Sequence, residues 1–398
     1  MNDVSNNPNI KAGTPEAETQ SGPLASPKKI SMRQLMILFL FTAISGITRI
    51  VTPESGRFIT SSSWVSPIFA LVPILPLIYV LYKITQNHKE KSLAEIIELV
   101  CGKVVGKIIL FAFLIHTLFL TAVFLRNFGE KFISTIFPNV TPIFFTIVLL
   151  LFAIVAVRRN IEAFARFGEI AFILVTAGFA LAFFLAMFHA DASNLLPVTY
   201  YDILPIINSA RPLVSLWSLI TFSLFLGGVT KFSTSHENSN GNDSSKTDTM
   251  MRTMTKYMLI IALFSFLSSI MTIGVLNADT ASNMSMPYFM IFRSIRVPGI
   301  IQGFETFFII FWAFTDFLMI GFHLFIISKI FKTLFVVEKP KLYMFSIGFI
   351  LLILAWFIGE NNFEVDYFYT NIVSWSSIVL GFVFPFLLLG VGKIRRKL

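Results

Sequence analysis

The chain has 398 residues, 55% of them hydrophobic and only 13% charged, with a net charge of +9 and a mean hydropathy of +0.77. That balance leaves too little polar surface to cover a soluble core, which excludes a soluble enzyme. The basic excess sits at the ends of apolar stretches rather than in one patch, so it argues against a nucleic-acid partner. A single cysteine, Cys101, excludes an internal disulfide, and the 46 phenylalanines read as lipid-facing and packing residues.

In chain order, residues 1–30 are rich in Asn, Pro, Ser and Ala without an apolar core, which predicts a disordered tail rather than a signal peptide. A hydrocarbon core about 30 Å thick needs about 20 apolar helical residues to cross it, and ten stretches approach that length. They are 34–51, 64–82, 107–126, 142–157, 167–188, 212–232, 257–277, 304–331, 342–358 and 370–391. Helices satisfy their own backbone groups inside a bilayer, so these are read as transmembrane helices of an all-α polytopic protein. Lys and Arg gather in alternate loops, leaving Arg49, Arg57, Arg126, Lys131, Arg211, Arg293 and Arg296 on the other side. This predicts a cytoplasmic N-terminus and a cytoplasmic, basic C-terminal tail at 393–398.

Between spans, residues 86–106 carry Leu93, Ile96, Ile97 and Val100 at 3–4 spacing, the pattern of an amphipathic helix on the membrane surface or against the bundle. The stretch 190–211 is long enough to cap the bundle. Residues 233–255 read as a polar, disordered loop whose His236, Glu237 and Asp243 lack ligand spacing, so no metal and no cofactor are expected. Arg166 and Glu169 read as an interfacial ion pair.

Small residues interrupt two spans at equivalent places in two five-helix halves: Ser45-Gly46-Ile47-Thr48 in the first and Gly227-Gly228 in the sixth. Such residues either unwind the helix, exposing backbone groups to a ligand, or let neighbouring helices pack closely. Asp316 falls mid-span, on one face with Trp312, Met319 and His323. A carboxylate at that depth either binds a cation, an ammonium group or a proton, or is held by neighbouring helices. His116 reads as a satisfied core histidine. No nucleotide-binding loop, nucleophile elbow or zinc spacing is present, so catalysis is not expected.

Ten spans with interruptions in the first and sixth resemble the amino acid–polyamine–organocation transporter fold. Several segments resemble the spore germination permease family, the B subunits of germinant receptors. They are ISMRQLMILFLFTAISG (30–46), SLAEIIELVCGKVVGKI (92–108), LRNFGEKF (125–132), AVRRNIEAFARFGEI (156–170), NLLPV (194–198) and FETFFIIFWAFTDFLMIGFHLF (304–325). Gly228 departs from the acidic residue expected there in many members. The resemblance implies a 5+5 inverted repeat with helices 1 and 6 broken, located in the spore inner membrane. It also implies a small germinant, commonly an amino acid, held among Ser45, Gly46, Thr48, Phe222, Gly227 and Gly228, with Thr117, Thr121, Thr315 and Asp316 closing the pocket. The implied partners are an A subunit and a lipoprotein C subunit. The alternative is a gradient-driven secondary amino acid transporter of the same fold.

Overall fold

A computed structural model gives the fold over residues 29–50, 59–88, 90–135, 137, 139–231, 243–284, 287–294 and 304–398. The expected N-terminal tail, apart from its last two residues, and positions 233–242 of the polar loop lie outside the described residues. Strand β1 (Ile30–Ser31) leads into helix α1 (Met32–Ile50). Then follow α2 (Ser66–Gln86), α3 (Leu93–Cys101), α4 (Lys103–Thr135), α5 (Pro142–Arg158) and α6 (Ile161–Met187). The chain continues through α7 (Ile203–Ser218), α8 (Ile220–Ser223), a 3₁₀ segment over Leu224–Val229 and strand β2 (Thr230–Lys231). It ends with α9 (Asp243–Leu276), α10 (Ala278–Asn283), α11 (Pro287–Ser294), α12 (Phe304–Phe335), α13 (Met344–Phe357), α14 (Asn362–Phe368), α15 (Ser374–Ser377) and α16 (Phe384–Ile394). Two π-helical turns, Tyr369–Val373 and Ile378–Val383, join the last three helices into one continuous rod.

Among the described residues, eight helical stretches are long and apolar enough to cross a membrane, and two shorter apolar helices, Met32–Ile47 and Pro142–Arg158, accompany them. The protein is an integral membrane protein built almost entirely of helix. Helix α12 forms its centre, packing against α1, α4, α5 and α6. Aromatic contacts seat it: Phe164 of α6 meets Phe317 and Phe325 at centroid separations of 5.9 and 5.4 Å. A Cβ on Gly321 would stand 2.3 Å from the Phe164 ring, so the missing side chain is what lets the two helices meet.

Lys and Arg side chains concentrate at one end of the bundle. There β1 and β2 pair in parallel, with Ile30 opposite Thr230, so the start of α1 and the end of the sixth span stand side by side. Helix α3 sits at that same end. A capping box fixes its start: Ser92 accepts from the Glu95 amide while the Glu95 carboxylate accepts from the Ser92 amide. Its apolar stripe, Leu93, Ala94, Ile96, Ile97 and Val100, is buried against the bundle. Gly102, at φ 89°, turns the chain from α3 into α4, a backbone conformation that costs glycine little. The C-terminal tail then covers α3, Arg395 donating to the Val100 carbonyl (2.8 Å) and Lys397 to that of Leu99 (2.6 Å).

Four expectations are corrected. First, α1 keeps α-helical backbone through Ser45, Gly46, Ile47 and Thr48 to Ile50, so no break lies at those residues. Gly46 there serves close packing, since a Cβ would fall 2.5 Å from Leu216 Cδ1. Second, the segment expected to be disordered is helical from Asp243 onward. Met250, Met254, Met258 and Ile261 recur at 3–4 spacing and are buried, which extends the apolar stripe of α9 backwards. Third, Arg166 and Glu169 do not pair with each other. Arg166 bonds Glu162 one turn earlier, while Glu169 takes Arg33 at 3.3 Å and Gln34 at 3.0 Å, tying α6 to α1. Fourth, α4 runs to Thr135, well past the expected end at residue 126, so Arg126 and Lys131 are helical and buried rather than in a loop.

Candidate functional site

The longer α4 brings a second charge to Asp316. The Asp316 carboxylate is 1% exposed; its Oδ2 accepts from Lys131 Nζ at 3.0 Å and its Oδ1 accepts from the Ser45 hydroxyl. Three helices thereby converge on one carboxylate: α1 through Ser45, α4 through Lys131 and α12 through Asp316 itself. The Lys131 ammonium also lies 4.1 Å from the centroid of the Trp312 ring. Trp312 precedes Asp316 by four residues, so one face of α12 presents an aromatic ring and a carboxylate to the same cation.

Immediately before Lys131 on α4, Arg126 and Glu130 form a second buried ion pair at 2.7 Å, and Arg126 also donates to the Glu360 carbonyl (2.9 Å). Taking such charges out of water costs several kcal/mol per ion. Two buried pairs within one turn of helix are therefore an expensive feature of α4. Sequence reasoning missed Lys131. The available signal was Arg126 and Glu130 at i,i+4 spacing inside LRNFGEKF, together with the rule that a buried carboxylate demands a cation.

The other anticipated residues fall into separate groups. Thr117, Thr121 and Thr315 are fully buried, and each hydroxyl donates to a carbonyl of its own helix: Phe113 (2.7 Å), Thr117 (2.6 Å) and Trp312 (2.7 Å). Phe222 belongs to an aromatic cluster with Phe113 and Phe225, edge to face at 5.1 and 6.2 Å. His116 stands against the same cluster, its Nδ1 2.8 Å from Ser376 Oγ. That hydroxyl also donates to the Ile372 carbonyl, and Nε2 of the ring lies 3.3 Å from Ser377 Oγ. His323, two turns beyond Asp316, stacks at 5.7 Å on Phe124 and finds no hydrogen-bond partner for Nδ1 among the described residues.

Gly227 and Gly228 are not brought to this centre. They lie in the 3₁₀ segment at the basic end, where a Cβ on Gly228 would stand 3.3 Å from the Glu90 carbonyl oxygen. Ser45 lies thirteen residues up α1 from Met32, about 20 Å away at the rise of an α-helix. The side chain of Thr48 lies outside the described residues. At the other end of the bundle a cavity of about 40 Å³ is lined by Ser63, Ser66, Ser209, Ser268, Thr272 and Tyr288 beside Ile47. The Tyr288 hydroxyl donates to Ser268 (2.6 Å), and burial pushes its phenol up, so it stays protonated. Among the described residues no group of His, Cys, Asp and Glu is placed to hold a metal.

A polytopic helical bundle with a charged centre shared by its first, third and eighth long helices defines a transporter-like membrane protein. In agreement, the fold matches a Na⁺-coupled sialic acid symporter solved in a substrate-bound outward-open state. The TM-score is 0.58 at 13% identity, covering 92% of this chain and 78% of the symporter. The family model described as spore germination protein matches residues 29–363, and the chain belongs to that family. It is 23% identical to spore germination protein KB of Bacillus subtilis (strain 168) over 374 residues, 93% of this chain and 96% of that protein. It is 22% identical to spore germination protein GerQB of Bacillus cereus, across 92% of this chain and 95% of the relative. The family is of permease type rather than an enzyme family.

Proposed function

We propose that the chain is the B subunit of a germinant receptor in the spore inner membrane, its N- and C-termini cytoplasmic and ten spans arranged as two five-helix halves. The small germinant is an amino acid, and its binding is signalled to an A subunit and a lipoprotein C subunit. The observation that carries this reading is the Lys131–Asp316–Ser45 centre. A zwitterion needs one anion for its ammonium and one cation for its carboxylate, and the buried pair supplies both. Replacing the internal pair by two ligand-mediated pairs keeps every charge compensated, while parting α4 from α12. That movement selects one of two bundle states, and the ligand must favour it by several kcal/mol to throw the switch.

The test uses spores lacking the gene, complemented with wild type or Asp316→Asn and challenged with amino acids, nucleosides, sugars and salts. The expected result is selective loss of one amino acid response, restored by wild type and not by Asp316→Asn at equal protein level. An unaltered dose–response in Asp316→Asn would sink the assignment. The fold shared with a Na⁺-coupled symporter favours a second reading, a secondary amino acid transporter. Concentrative uptake by the isolated protein in proteoliposomes would decide for it.

A further inference from the structure

At the basic end, α6, α12 and the turn before α13 enclose a pocket of about 680 Å³. Its walls carry four lysines, Lys329, Lys332, Lys339 and Lys341, against two carboxylates, Glu162 and Glu338. Glu162 is engaged by Arg166, which leaves Glu338 facing four ammonium groups. Lys332 and Lys341 are close enough to act on the charge of Lys329, with Glu95 opposing them there. Lys341 spends one of its three protons on the Arg159 carbonyl, leaving two for another acceptor.

Lysines that only fix orientation during insertion need water and nothing else. Here, two of them (Lys329 and Lys341) are half-buried, and all four line one concavity together with the apolar Val229, Phe325 and Leu342. The first turn of α6 borders the same space, and its N-cap residue, Asn160, makes no side-chain cap. Like charges held this close repel one another unless a counter-anion joins them.

We infer that this pocket binds a phosphate-bearing anion, seated among Lys329, Lys332, Lys339 and Lys341. Lysine is a point-charge ligand for phosphate, and basic pockets between transmembrane helices suit phosphorylated head groups. The phosphate comes either from an anionic lipid of the surrounding leaflet or from a soluble phosphate compound.

The full chain, placed in phosphatidylcholine nanodiscs, is titrated with short-chain phosphatidylglycerol in one arm and inorganic triphosphate in another. Chloride at matched ionic strength is the control, and thermal unfolding is the readout. The expected result is a saturable rise in Tm with at least one phosphate ligand and none with chloride. Half-saturation should rise at least tenfold in Lys329→Gln/Lys341→Gln and return towards wild type in Lys329→Arg/Lys341→Arg. Saturation by the lipid alone assigns a head group, and saturation by triphosphate a soluble ligand. A response equal to that with chloride, or the same half-saturation in the glutamine variant, overturns the proposal. Should that variant fail to fold, Lys332→Gln and Lys339→Gln, whose lysines stand nearer the pocket mouth, provide the same comparison.

Discussion

Lys131 and Asp316 stand 185 positions apart in sequence and 3.0 Å apart in the fold. Each is the other's charge compensation inside the bundle, so neither can be judged alone. Asp316→Asn leaves Lys131 buried against a neutral amide, and the expected cost is about 3–5 kcal/mol. Lys131→Gln should cost a similar amount. The double variant should lose much less than the sum, because no charge is left unpaired. Thermal unfolding of the four proteins in detergent gives the cycle, and additive losses would mean that the two groups act independently.

Gly129 lies between the two members of the Arg126–Glu130 ion pair on α4. A Cβ there would stand 2.4 Å from the Pro142 carbonyl oxygen and 2.7 Å from Thr146 Oγ1. Since the first of these is backbone, it cannot swing aside. Gly129→Ala should push α4 off α5 and cost about 1–3 kcal/mol. The loss would show as a lower Tm with normal membrane insertion. An unchanged Tm would show that α5 can shift without penalty.

Cys101 is half-buried at the end of α3, and burial pushes its thiol up while Arg395 pulls the other way. A raised pKa means that less thiolate is present at neutral pH, so alkylation should be slow there. The rate should keep climbing beyond the pH at which an ordinary cysteine levels off, near 8.5. Removing residues 395–398 takes away the Arg395 guanidinium that favours the thiolate, and should move the profile to still higher pH. A pH profile that levels off at the ordinary value would contradict the burial argument.

Tyr288 donates to Ser268 in the cavity at the end away from the lysines. Tyr288→Phe should cost about 1 kcal/mol, the usual net worth of such a bond. A germination response unchanged by it would leave that cavity outside ligand recognition.

Much of this fold was legible because lipid imposes length and hydropathy on each span. Asp316 stood out for the same reason, as a charge where none is cheap. What could not be read were relations between distant segments. LRNFGEKF looks like a helix end because it holds three charges, yet Arg126–Glu130 and Lys131–Asp316 compensate all of them internally. Ser45-Gly46 looks like a break because glycine favours unwinding, yet the same missing side chain also admits Leu216, and packing prevailed. The sixth span does leave the α-helix, but through Leu224–Val229 at the basic end, far from Ser45.

The six residues of that 3₁₀ segment set a length as well as a shape. Each rises about 2.0 Å where an α-helical residue rises about 1.5 Å. Rewinding the segment as α-helix would shorten it by about 3 Å and turn its end by roughly 120° at three rather than 3.6 residues per turn. Thr230 could not then stay opposite Ile30. The winding of the sixth span and the pairing of Ile30 with Thr230 are therefore one mechanical variable: neither can change without the other.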